Sequence, residues 1–169
     1  TGAGGSIGSE LVRQLAKLSP SHLTLLDSSE YNLFRIDLEI GNNFPELLKS
    51  ALIADVRDHS RVGEIFRQVA PEIVFHAAAL KHVPLVEANV LEGISTNVFG
   101  TRNVADAARE SNVYTFVQIS TDKAVNPTNI MGATKRLAEV YCQALDLRNK
   151  TQGDTTFVTV RFGNVLGST

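Results

Sequence analysis

The sequence predicts an α/β domain built on a doubly wound parallel sheet. Three observations carry this: short β-branched and Leu-rich runs alternate with longer stretches of helical period, the apolar runs are continuous as in strands covered on both faces, and a glycine-rich turn opens the chain. With 169 residues, 43% of them hydrophobic, the chain can bury one sizeable core.

The opening run Thr1-Gly2-Ala3-Gly4-Gly5-Ser6-Ile7-Gly8 reads as a turn between a strand and a helix, the helix covering Ile7–Leu18. No strand residues precede it, so the chain reads as an excerpt of a longer protein that lacks its first strand, and its end at Thr169 is equally abrupt. His22–Asp27 follows as a strand, then a helix over Tyr31–Ile40 and a loop at Asn42-Asn43-Phe44-Pro45. The pattern repeats with a strand at Leu52–Asp55, a helix over Ser60–Val69 and a strand at Ile73–Ala77. One long helix is expected over roughly Leu85–Ser111, a strand at Tyr114–Ser120, a helix over roughly Met131–Arg148 and a last strand at Thr156–Phe162. No linker, repeat or low-complexity tract interrupts residues 1–169, which read as one partial nucleotide-binding domain.

A net charge of −2 offers no basic field to a nucleic-acid backbone or an anionic membrane surface. No apolar run approaches the ~20 residues needed to cross a bilayer, and no signal segment opens the chain. The lone Cys142 cannot form an internal disulfide, and the four histidines lack zinc-site spacing, so no metal is expected.

Gly2, Gly4, Gly5 and Gly8 sit where bare backbone must approach a pyrophosphate while Ser6 and Ile7 start a helix whose N-terminus faces the anion. A ligand-free structural turn is the alternative. Asp27 stands nineteen residues after Gly8, close to the spacing at which a carboxylate accepts hydrogen bonds from an adenosine ribose. It would repel a 2′-phosphate, which favours NAD over NADP; its alternative is a helix cap, a role open also to Ser28. Asp55-Val56 ends a strand where an adenine edge could be met, or forms a turn, and Ala77-Ala78-Ala79 would let backbone come close to a cofactor. His76 reads as a satisfied core histidine, and Lys81 as an exposed loop cation. Thr121, Asp122 and Lys123 stand at the C-terminal end of a strand, the crevice side of an open sheet, with Met131 and Lys135 one turn apart on the next helix. An Asx-type turn with a solvated lysine is the alternative there.

These residues together with Asp55-Val56-Arg57-Asp58, Asn97-Val98-Phe99-Gly100-Thr101, Ser120–Val125, Gly132-Ala133-Thr134-Lys135 and Arg161-Phe162-Gly163-Asn164-Val165 resemble the extended short-chain dehydrogenase/reductases. More narrowly, they resemble the nucleotide-sugar 4,6-dehydratases that act on UDP-N-acetylglucosamine in bacterial surface-polysaccharide and glycan synthesis. The resemblance implies a Rossmann-type fold with a C-terminal substrate domain beyond this segment, NAD as cofactor in an internal redox cycle, a UDP-sugar substrate, a homo-oligomer, and a cytoplasmic location. It further implies that Lys123 takes the C5 proton, Asp122 protonates the leaving C6 hydroxyl and Thr121 binds the 4-hydroxyl. By the same resemblance Lys135 holds the nicotinamide ribose, Asn97 shapes the crevice and Asn164 lies near the nucleotide sugar. Met131 departs from the tyrosine usual at its position. A thioether has no proton to exchange, which leaves Asp122 or a water on Lys135 to accept the 4-hydroxyl proton. Methionine there resembles members anchored by N-terminal membrane helices, so the parent is expected to be the cytoplasmic domain of an inner-membrane protein, while this segment makes no membrane contact and is inactive alone. An epimerase or reductase of the same superfamily, or a non-catalytic NAD-binding module, are the alternatives.

Overall fold

The computed structural model describes residues 1–148 and 154–163. Among the described residues five parallel strands form two sheets. One pairs β1 (Leu23–Asp27) with β2 (Lys49–Ile53); the other has the order β3 (Ile73–His76), β4 (Thr115–Thr121), β5 (Thr156–Phe162). Between β1 and β3 the first residues of the chain form a short seam. Ala3 N–H donates to Leu26 O at 3.1 Å, the Thr1 amino group to Phe75 O at 2.8 Å, and Ala77 N–H to Thr1 O at 3.0 Å. Beyond Thr1 the two sheets part around a cleft of about 620 Å³ walled by such residues as Val12, Leu25, Ile65, Val74 and Phe75.

Alternation along β1 divides the core. Leu25 packs with Val12 and Ala16 of α1 (Ser6–Lys17) and with Leu33, Ile36 and Ile40 of α2 (Glu30–Asn43). Leu26 joins the other cluster, with Val62, Ile65 and Phe66 of α3 (His59–Val69), Val104 and Ala108 of α6 (Thr101–Glu110), Phe116 of β4, and Cys142 and Leu145 of α7 (Ile130–Arg148). The helices thus cover both faces, as a doubly wound sheet requires. Burial pushes the Cys142 thiol up to about 12.

Three elements differ from the sequence expectation. The helix expected over Tyr31–Ile40 runs on as α2 to Asn43, so the loop expected at Asn42-Asn43-Phe44-Pro45 begins only at Phe44, which caps the helix by donating to Ile40 O. The second strand lies at Lys49–Ile53 and not at Leu52–Asp55, because register with β1, Leu23 opposite Lys49 and Asp27 opposite Ile53, draws in the polar residues Lys49 and Ser50 at the edge of a two-stranded sheet. The long helix over Leu85–Ser111 is divided into α4 (Val83–Ala88), α5 (Val90–Ile94), a π-helical segment (Ser95–Gly100) and α6. Asn89 leaves the helical region at φ −135° and ψ 60°, while its side chain donates to Leu85 O at 2.9 Å, which ends one helix and starts the next. Among the described residues no helix is long and apolar enough to cross a membrane.

Candidate active site

The C-terminal ends of the strands open onto a crevice of about 530 Å³. The glycine turn, Asp27, Val56 and Ala77-Ala78-Ala79 line it, and Arg57 and Lys81 stand at its rim. Gly2 adopts φ +67°, and a Cβ there would lie 2.5 Å from the Ala78 nitrogen; a Cβ on Gly8 would lie 1.8 Å from Gly2 O. Glycine at position 2 lets the turn lie against the backbone after β3, and glycine at position 8 lets α1 pack against the turn. At Gly5 a Cβ would meet nothing nearer than Gly2 O at 3.4 Å, so the floor stays open. The helix starts there without a side-chain cap and without an acidic residue in its first turn. An uncapped helix start facing an open floor fits the diphosphate of a dinucleotide.

Asp27 accepts from Gly4 N–H at 2.8 Å through one carboxylate oxygen and from Ser29 N–H at 2.9 Å through the other. It braces the glycine turn while lining the crevice; Ser29, and neither Asp27 nor Ser28, caps α2, accepting from Asn32 N–H. Asp55 is engaged by the Arg57 guanidinium, whose hydrogen bonds hold its carboxyl below the usual range, and Arg57 also reaches Glu92 at 2.6 Å. Asn97 is fully buried in the π-helical segment. It holds the backbone of Leu80 on both sides, accepting from its N–H at 2.8 Å and donating to its O at 3.0 Å. It therefore bears on the crevice through the loop after β3 and not by lining it. Lys81, read from sequence as a loop cation, reaches across to Ser6 Oγ at 3.4 Å. The signal for it was its place after a strand whose end faces the crevice.

A second group lies beyond β4. Thr121 donates to Asp122 at 3.0 Å, and the Lys123 ammonium contacts the same Asp122 oxygen at 3.2 Å. Lys123 and then Thr121 hold the Asp122 carboxyl below its ordinary range. These three residues begin a 3₁₀ turn (Asp122–Ala124) that rests on the start of α7. A Cβ on Gly132 would lie 2.3 Å from Lys123 O, so glycine is what admits that contact. Asn129 caps the helix by accepting from Gly132 N–H at 2.8 Å, and Glu87 accepts from Ile130 N–H at 2.6 Å, tying α4 to the same end.

Met131 and Lys135 are both buried on α7. The Lys135 ammonium donates to Ile119 O at 2.6 Å, and burial lowers it to about 8 despite support from Cys142 and Glu139. Glu139, fully buried one turn on, takes two hydrogen bonds from Arg161 of β5, at 2.8 and 2.6 Å, and one from Arg136 at 3.0 Å. Burial would raise its carboxyl, but the bonds from Arg161 and its other partners hold it at about 2. Sequence reading missed this clamp; the signal was an acid one turn past Lys135 on the same helix face. Asn164 lies outside the described residues.

The whole chain, residues 1–169, matches the model of a family described as polysaccharide biosynthesis protein. The chain belongs to that family. Within it, the chain is 50% identical over 169 residues to the capsular polysaccharide biosynthesis protein CapD of Staphylococcus aureus, covering 99% of this chain and 28% of CapD. It is 37% identical over 170 residues to the inverting UDP-N-acetylglucosamine 4,6-dehydratase of Campylobacter jejuni, covering 99% and 48%. Chains named UDP-glucose 4-epimerase from Rickettsia species match at the same 37% identity. A double mutant of the dTDP-glucose 4,6-dehydratase DesIV from Streptomyces venezuelae, solved with NAD and DAU bound, superposes with a TM-score of 0.77 at 25% identity, covering 95% of this chain and 53% of that one. This member of the polysaccharide biosynthesis family thus has the Rossmann-type fold of the short-chain dehydrogenase/reductases, and it spans less than half the length of these curated relatives.

Proposed function

We propose that the full-length protein is a nucleotide-sugar 4,6-dehydratase that converts UDP-N-acetylglucosamine to UDP-4-keto-6-deoxy-N-acetylhexosamine with NAD, for surface polysaccharide or glycan synthesis. The observation that carries the reading is the Thr121-Asp122-Lys123 cluster at the end of β4, where an ammonium and a carboxylate lie 3.2 Å apart. An elimination needs one acid and one base at neighbouring carbons, and this pair holds the right number of protons for both roles.

When bound, NAD would supply a hydride acceptor for C4 of the sugar and a hydride donor for C6. The glycine turn from Gly2 to Gly8 would hold its diphosphate, Asp27 the adenosine ribose, and Asp55-Val56 with Ala77-Ala78-Ala79 the adjoining walls; the Asp27 carboxylate disfavours a 2′-phosphate. Thr121 hydrogen-bonds the 4-hydroxyl. Met131 has no proton to exchange, so the 4-hydroxyl proton leaves through water held by Lys135, which has two N–H donors beyond the one given to Ile119 O. The ketone formed at C4 acidifies the C5 proton. Transfer of one ammonium proton from Lys123 to Asp122 makes an amine base and a carboxylic acid. Lys123 then takes the C5 proton as Asp122 protonates the C6 oxygen. The C6–O bond breaks, water departs, a C5–C6 double bond forms, and the ion pair is restored. Hydride at C6 and a solvent-exchangeable proton at C5 complete the product.

Incubating the full-length protein with UDP-N-acetylglucosamine in heavy water tests this: mass spectrometry should find a product lighter by one water and deuterated at C5. An isobaric product would support the 4-epimerase reading instead, which needs no acid–base pair such as Asp122 and Lys123, and no product at all would support a non-catalytic module.

A further inference from the structure

The polar groups behind the crevice form one continuous buried run. Thr101 donates to Asn97 O at 2.7 Å, so its oxygen must accept from His76 Nε2, 2.9 Å away. With its proton on Nε2, His76 must accept at Nδ1, where the Thr1 hydroxyl lies at 2.7 Å. Asn97 then gives its two amide hydrogens to Leu80 O and to Thr134 Oγ1, each at 3.0 Å, and Thr134 donates to Met131 O at 2.7 Å. His76, Asn97 and Thr101 are fully buried and Thr134 nearly so, and each of their side chains has partners within the run. Removing one link would leave a buried polar group unpaired, which is costly. Burial and the Lys135 charge keep the His76 ring neutral, as the run requires.

The run crosses four separate pieces of chain. It starts in the glycine turn, passes the end of β3, enters the π-helical segment and finishes in the first turn of α7. The π geometry matters because it brings Asn97 between the Leu80 loop and Thr134, and such segments often mark functional sites. We propose that His76 and Thr101 are positioning residues: through this buried run they hold the loop beside the crevice and the start of α7 in a single register, so that the cofactor turn and the Lys135 helix are placed by one another. Neither residue lines the crevice among the described residues, so both act through Asn97. Only the kinetic arm of the test rests on the dehydratase reading.

The test uses full-length protein carrying Thr101→Val, which keeps volume but removes donor and acceptor, and Thr101→Ser, which keeps both. Amide hydrogen exchange by mass spectrometry is compared at Leu80–His82, at Met131–Lys135, and in α2 as an internal reference. Thr101→Val should speed exchange about tenfold or more at both Leu80–His82 and Met131–Lys135 with α2 unchanged, and Thr101→Ser should restore both. If Thr101→Val does not fold, Thr134→Val from the far end should loosen Leu80–His82 in the same way, with Thr134→Ser restoring it. In turnover, the valine variants should lower kcat while leaving KM for the sugar nucleotide within about twofold. Exchange that rises at neither segment, at only one of them, or throughout the protein overturns the proposal, as does a serine variant no better than valine. A protein that never turns over UDP-N-acetylglucosamine defeats the dehydratase reading alone, because the exchange arm needs no substrate.

Discussion

The crevice beside α1 and the corner beyond β4 are built by different means. The first is shaped by backbone: three glycines, Gly2, Gly4 and Gly8, that admit no Cβ, an uncapped helix start, three successive alanines, and a carboxylate, Asp27, that spends hydrogen bonds on the turn itself. The second is made of side chains: Thr121, Asp122 and Lys123 on a short turn, with Lys135 and Glu139 buried behind them. A backbone-built site binds whatever matches its shape and tolerates change poorly at the glycines. A side-chain-built corner can lose its chemistry by one substitution and keep its fold. The difference predicts that binding and turnover are separable by mutation.

The strongest challenge to that separation is Gly8→Ala. With a Cβ 1.8 Å from Gly2 O the turn cannot keep its form, and NAD affinity should fall by about 100-fold or more by calorimetric titration, in a variant whose Asp122 corner is intact. Asp122→Asn should do the reverse. It should lower kcat by about 10²–10⁴-fold, the range of a lost general acid, with NAD affinity within about twofold of wild type. Should both variants lose binding and turnover together, the two regions are not independent.

Glu139→Gln probes what holds the corner in place. Glutamine keeps the buried volume but loses the charge-assisted bonds from Arg161 and Arg136, whose guanidiniums stay part-solvated, so the loss should be about 1–3 kcal/mol in denaturant unfolding. The pH dependence sharpens this. The folded carboxyl titrates at about 2 against an ordinary 4.5, so its stabilisation is complete above pH 4.5 and is lost as the pH falls toward 2. That acid loss should be weaker in the glutamine variant. Asp27→Asn is expected to act on cofactor choice, narrowing a preference for NAD over NADP by about tenfold, of the order of one charge-assisted hydrogen bond. Met131→Ala should be mildest, less than tenfold in kcat, as fits a packing role. A fall as large as that of Asp122→Asn in a folded, NAD-binding protein would give the methionine a catalytic part that its chemistry does not suggest.

Much of this was legible from the sequence. The continuous apolar runs at Ile73–Phe75 and Phe116–Ile119 fixed β3 and β4, and the period of Ile7–Leu18 fixed α1 within a residue. The glycine turn and the Thr121–Lys123 strand end were visible because each is contiguous in sequence. The π-helical segment was not, since apolar spacing alone carries the helical period straight through Asn89 and Asn97, and the break depends on what those side chains bond. The Glu139–Arg161 clamp and the run through His76 join residues 22 and 25 positions apart, and only the packing of α7 and α6 onto the sheet brings them together.

Cys142 has one more consequence. Its thiol is buried under α7, shifted up to about 12, and is the sole cysteine in the sequence. A reagent that modifies thiolates cannot reach it while α7 is seated on β4, so its labelling rate becomes a clock for how often the Lys135 helix lifts from the sheet. In full-length protein with any cysteine outside this segment replaced, that clock can be read with cofactor or sugar nucleotide present or absent without placing a probe in either region.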